Sequence, residues 1–137
     1  MKLSSASLSV ILAASLASVQ GYGIVSVSKF SAGATPHSSI GYIELSWSRG
    51  QNETRCSARP GTYQSFPSVG KTSCSAPSTA FSLTKRDDGG ADLSLFSGNA
   101  QAIHTITKDE IVWANQQSPT GTVQVYSGPQ NFTAELV

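Results

Sequence analysis

From Ile24 onward, apolar residues recur at every second position in short runs, and turn-forming residues interrupt each run. Residues 40–47 (IGYIELSW) are the clearest case. Ile43, Leu45 and Trp47 fall on one face, and Tyr42, Glu44 and Ser46 on the other. A period of two marks a strand with one buried face. No segment sustains the 3.6-residue period of an amphipathic helix. A chain patterned in this way must build its core from sheet.

The other runs follow the same rule. Residues 24–30 read as the first strand, and 33–38 as a turn. Residues 55–58 form a short strand carrying Cys56. Residues 59–70 read as a loop, because Pro60, Gly61 and Pro67 interrupt ladders. Residues 71–75 carry Cys74. Phe81 and Leu83 mark a strand ending at Asp87-Asp88-Gly89-Gly90, a hairpin signal, and 91–96 pair back across it. Residues 101–107 come next. Residues 111–113 read as a strand, with one helical turn as the alternative, since Thr107-x-x-Glu110 resembles a capping box. Residues 122–126 and 131–136 complete the set.

Nine or ten short strands in one domain predict an all-β fold. An antiparallel β-barrel, closed or nearly so, accounts for them best because closure hides strand edges. A two-sheet sandwich is the alternative. The predicted inward residues Ile43, Leu45, Trp47, Phe81, Leu83, Leu93 and Leu95 are large enough to fill such a barrel. That argues against a hollow small-ligand carrier.

The first 21 residues have a different character. Lys2 precedes an apolar stretch, 8–16 (LSVILAASL), too short to span a bilayer, and small residues follow it. This predicts a secretory signal peptide over 1–21, a single domain over 22–137, and a secreted, extracellular protein. Residues 22–137 hold four Lys and four Arg against eight acids, with no basic stripe. Neither nucleic acid nor a membrane surface is an expected partner. In an exported eukaryotic chain, the sequons at Asn52 and Asn131 are candidate glycosylation sites.

Cys56 and Cys74 are the only cysteines. Neither CxxC spacing nor a His cluster accompanies them, so no metal site and no cofactor is expected. In an exported chain they predict one intrachain disulfide, whose loop closure contributes about 3 kcal/mol. Two free thiols are the alternative.

Catalytic patterns are sparse. A ribonuclease needs a carboxylate base, an imidazole acid and a phosphate-holding Arg on one face. Glu44, His104 and Arg55 are the candidates, with His37 as a second imidazole. No G-x-S-x-G elbow occurs. The 59–70 loop is more suggestive, because it places Tyr63 and Phe66 beside Arg59 and Lys71. Aromatics next to cations on a constrained loop dock at low entropic cost. The alternative is that Phe66 folds back as a lid on the barrel end. Residues 115–121 (NQQSPTG) read as a plain polar connector.

Four stretches together resemble the Alternaria major-allergen-like family of small secreted fungal proteins. They are 27–30 (VSKF), 39–45 (SIGYIEL), 54–58 (TRCSA), and Ser73-Cys74 followed by 80–83 (AFSL). The resemblance covers residues 24–97 in order and approximate spacing. It implies a compact β-barrel with Cys56 and Cys74 as its internal bridge, secreted by a fungus. It also implies an allergen-like effector or elicitor, with a role in virulence, that engages host extracellular defence components without an agreed catalytic activity. This chain lacks the family's second, C-terminal disulfide and the N-terminal cysteine that joins some members covalently. A monomer or non-covalent dimer is therefore expected, with a host extracellular protein or a small ligand as partner. A small secreted hydrolase such as a ribonuclease, or a small-ligand carrier, is the alternative.

Overall fold

The computed structural model describes residues 24–117 and 120–137; the expected leader over 1–21 lies outside them. Ten strands run in chain order: β1 (Ile24–Ala34), β2 (Gly41–Arg49), β3 (Asn52–Ala58), β4 (Val69–Ser73), β5 (Thr79–Lys85), β6 (Ala91–Ser97), β7 (Ala100–Ile106), β8 (Ile111–Gln117), β9 (Thr120–Tyr126) and β10 (Phe132–Leu136). All pairings are antiparallel. The main sheet runs β3-β2-β1-β10-β7-β6-β5-β4, and β8–β9 joins it as a ribbon through a β9–β1 contact. The sheet curls into a nearly closed barrel.

β1 extends to Ala34, past the expected end at Phe30, because a bulge restarts its alternation. Val25 and Val27 point inward; so do Phe30, Ala32 and Ala34. Between these sets the register with β2 shifts, and Lys29 adopts φ 57°. One extra residue moves the inward parity from odd to even positions. The side-chain amide oxygen of Asn131 accepts the Lys29 N–H at 3.2 Å, and the Gln130 carbonyl accepts the Phe30 N–H at 3.0 Å. The bulge also divides the neighbours of β1. Residues 24–27 pair with β10, whereas Gly33 pairs with Val125 of β9. A Cβ at Gly33 would come within 2.8 Å of the Val125 side chain and 2.9 Å of the Tyr42 hydroxyl, so this crossing needs glycine.

The interior is filled. Phe30, Phe81, Ile43, Leu83, Leu93, Leu95 and Ile106 are fully buried, and all seven residues expected to point inward are in the core. A gap among Val25, Trp47, Leu95, Ala102 and Leu136 measures about 10 Å³, no more than one water needs. The segment after β7 combines both forms expected of it. Thr107 N–H donates to Glu110 Oε1 at 3.0 Å around a 3-10 turn, Lys108–Glu110, and β8 then begins at Ile111.

β3 and β4 are the sheet's two ends in this order, and no ladder joins them. The Cys56–Cys74 disulfide crosses that seam, with its Cα atoms 4.5 Å apart. Beside it, Ser75 N–H donates to the Arg55 carbonyl at 2.9 Å, and Arg55 N–H to the Ser75 hydroxyl at 2.9 Å. Both edges resist pairing with other chains. β4 is five residues long and bulged, and carries Lys71; β3 presents Glu53 and Arg55.

Candidate functional site

Antiparallel order brings the connections 35–40, 59–68, 86–90, 107–110 and 127–131 to one end of the barrel. The β8–β9 ribbon rises from the same end, with Gly121 packed on Pro36 and His37. This end has two unlike sectors. The 86–92 turn and its neighbour 108–110 are densely charged. Arg86 lies 3.3 Å from Asp88 and 3.1 Å from Asp92, and Thr105 donates to Asp92 at 3.0 Å. Bonding to Gly90 N–H holds the Asp88 carboxyl below its ordinary range, helped by Arg86. The other sector consists of 31–43, 60–70 and 111–126. It contains no Asp, Glu, Lys or Arg, and His37 is its one titratable group besides tyrosines.

The four residues predicted for a binding loop go different ways. Phe66 is 1% exposed and belongs to the core, so it takes the lid position. Its N–H donates to Gln124 Oε1 at 2.8 Å. Arg59 pairs with Glu44 at 3.2 Å, both exposed, an arrangement worth little in stability. Lys71 sits 4.5 Å over the Phe96 ring, away from the loop. Tyr63 alone projects, at 66% exposed. The left-handed turn at Gln64, φ 62°, separates the outward Tyr63 from the inward Phe66.

The candidate ribonuclease set assembles only in part: Glu44 and Arg55 line one groove, and His104 lies elsewhere. Glu44 faces outward on β2. His104 is the partner of buried Leu93 and lies on the inner row of β7. β2 and β7 are three strand spacings apart, roughly 14 Å, with the two side chains on opposite faces. His104 has a structural setting instead. Its ring stacks on Phe132 at 3.9 Å, and Nδ1 lies 3.1 Å from the Thr133 carbonyl where the β7–β10 ladder ends. Among the described residues, no three His, Cys, Asp or Glu side chains cluster as metal ligands. Asn52 is exposed at the start of β3, and Asn131 is exposed while bonded to Lys29.

No family model, curated protein or solved structure matches this chain.

The ribbon supplies a residue that the sequence reading passed over. Trp113 is 57% exposed. It opposes Gln124, and paired residues share a face, so Ile111, Trp113, Asn115, Thr122, Gln124 and Tyr126 form one row. Tyr126 packs edge-on against Phe30 at 4.8 Å, and Gln124 reaches the Phe66 backbone. That row therefore faces the barrel end, and Trp113 stands exposed over it. Gln124 N–H donates to the Gln64 carbonyl at 2.8 Å, which docks the Tyr63 loop against β9. On the opposite side of the loop, Thr62 N–H donates to the Ser39 carbonyl at 2.9 Å, beside Ile40, itself 48% exposed. The sequence signal was the absence of charge from 111 to 134 around a tryptophan followed closely by Asn115, Gln116 and Gln117.

Two open grooves follow the seam. One, about 540 Å³, lies along Lys29, Glu44, Arg55, Ser57, Ser73 and Ser75. The other, about 550 Å³, lies along Arg49, Asn52, Glu53 and Pro77. Both are lined by mixed charge and small hydroxyls, and the first brings Glu44 and Arg55 together without a histidine.

Tyr126 gives this end a pH signature. Burial, with the Glu110 carboxylate nearby, pushes its phenol up to about 12. Its hydroxyl donates to the Pro129 carbonyl at 2.6 Å. An unfolded tyrosine ionises near pH 10, so above that the unfolded state releases a proton the folded state keeps. The Tyr126 contribution is complete below about pH 10 and is lost as pH rises toward 12. Absorbance at ~295 nm, where phenolate absorbs, is expected to show one late-titrating phenol that Tyr126→Phe removes. Identical titration curves for the two proteins would refute the assignment.

Proposed function

We propose that this chain is a secreted, non-enzymatic binding protein of the fungal effector or elicitor kind, and that it engages host extracellular components through the uncharged sector of its barrel end. The observation that carries the reading is the display of Trp113, Tyr63 and Ile40 on a backbone tied down on each side. Large aromatics held rigidly lose little entropy on docking. The stapled all-β domain and the motif likeness to Alternaria major-allergen-like proteins support the same reading, as does the apolar leader. Glu44 and His104 lie on opposite faces of strands three spacings apart, which weighs against pairing these two as base and acid.

Affinity capture from plant extracellular fluid with the oxidised protein tests this reading. Retained host components are expected to be lost with the Trp113→Ala, Tyr63→Ala double variant. Retention unchanged in that variant would reject the surface. RNA cleavage abolished by Glu44→Gln would reject the non-enzymatic reading.

A further inference from the structure

We infer that the uncharged sector of the barrel end is a carbohydrate-binding face whose ligand is a neutral polysaccharide chain, stacked on Trp113 and Tyr63. The inference rests on the reading of this sector as the binding surface, and adds the chemistry of what it holds.

Three observations select that ligand. The first is the aromatic pair. Trp113 and Tyr63 are 57% and 66% exposed, whereas Phe66 near Tyr63 is buried and Ile111, Val112 and Ala114 near Trp113 are half-buried. An aromatic ring offers a flat apolar face with a polar tip. A pyranose ring offers the complement, a face of C–H bonds with hydroxyls around its rim. The second is the company these rings keep. Asn115, Thr122 and Gln124 share the row of Trp113, and Gln64 adjoins Tyr63. Amides and hydroxyls both donate and accept, as sugar hydroxyls do. Gln124 already spends its carbonyl oxygen on Phe66 and keeps its NH₂ group.

The third observation is charge. An acidic polysaccharide or a nucleic acid needs cations opposite it, and a protein interface draws on Arg at its strongest points. Segments 31–43, 60–70 and 111–126 supply no Lys, Arg, Asp or Glu. Glu44 on β2 and Arg59, just past the end of β3, are engaged with each other at 3.2 Å. A neutral hydroxyl-rich polymer is the ligand such a surface matches.

The spacing suits a chain rather than a single sugar. The Gln64 backbone is one strand spacing from β9, so the Tyr63 segment lies about two spacings, roughly 10 Å, from Trp113. Segments that far apart are spaced to meet an extended oligomer rather than one sugar. Both supports are rigid. Trp113 sits on a paired strand, and the Tyr63 loop is fixed by Ser39, by Gln124, by the Thr62 hydroxyl donating to the Ser65 carbonyl at 2.8 Å, and by buried Phe66.

The test uses isothermal calorimetry and tryptophan fluorescence on the oxidised protein. The neutral probes are laminarihexaose, cellohexaose, xylohexaose and chitohexaose, and hexagalacturonate is the acidic control. The chain has two tryptophans, and Trp47 is buried, so Trp113 reports the site directly. At least one neutral oligomer is expected to bind saturably, to shift the emission to the blue, and to keep its affinity in high salt. Trp113→Ala and Tyr63→Ala are each expected to weaken binding about tenfold or more, with the melting temperature unchanged because both side chains are exposed.

Absence of binding by all four neutral oligomers overturns the inference. So does equal binding by the two variants, or tighter, salt-sensitive binding of hexagalacturonate. If no sugar binds, yet a host protein is captured by the wild type and lost with the double variant, the carbohydrate assignment falls and the binding-surface reading stands. If the double variant changes neither capture nor sugar binding, both fall.

Discussion

Phe66→Ala is expected to lower the free energy of unfolding by about 3–5 kcal/mol, the range for emptying a fully buried aromatic site. Phe66 is 1% exposed and closes the barrel end against the core that Phe30, Ile43 and Leu83 build. The walls around it are tied by ladders and cannot collapse into the space, which puts the cost toward the upper part of that range. Local order is expected to change as well. The Phe66 N–H bond to Gln124 Oε1 and the Gln64 carbonyl bond to Gln124 N–H both depend on the loop staying seated. Urea denaturation measures the first effect, and amide exchange at Gln124 the second. A loss below about 1 kcal/mol, the scale of a surface change, would mean the ring is not a plug.

Replacing Cys56 and Cys74 together by alanine is expected to cost about 3 kcal/mol, from the entropy the opened loop returns to the unfolded chain. In a domain of this size that lowers the melting temperature by about 12 °C. The location of the bridge adds a native-state effect. It joins the two sheet edges that have no ladder between them, beside the paired bonds of Arg55 and Ser75. Amides at Arg55 and Ser75 are therefore expected to lose more protection than those of the β5–β6–β7 meander. Trp47 Nε1, which lies 3.3 Å from the Cys56 sulfur, loses its partner, and its emission is expected to report the change. Stability lost with the seam amides as protected as before would place the whole effect in the unfolded chain.

The two halves of the candidate site were unequally readable. Tyr63 stood out because proline and glycine mark its segment as a loop, and loops display aromatics. Phe66, three residues on, carries the same local signal, yet it is core. What separates them is the left-handed residue Gln64 and an acceptor on Gln124, some sixty positions later in the chain. Trp113 was harder. Alternation placed it on a strand, and a tryptophan on a strand is ordinarily taken for core. Its exposure follows from the ribbon rising past the barrel, where the row from Tyr126 to Thr122 runs out of interior to face. His104 illustrates the opposite case. A histidine in an alternating run is equally suited to either face until the partner strand is known.

By itself the sequence determined the period of two, the places where turns interrupt it, the inward rows of the hairpins, and the one cysteine pair available to bridge. These are local properties, set by pleat geometry and by the backbone preferences of glycine and proline. The tertiary structure alone decided that β10 lies between β1 and β7, that β9 meets β1 only beyond a bulge, and that the seam falls at the disulfide. Alternation tells a strand which face to bury but not which neighbour to bond. That choice is made by packing among residues distant in the chain, and it decides which aromatic fills the barrel and which is left in water.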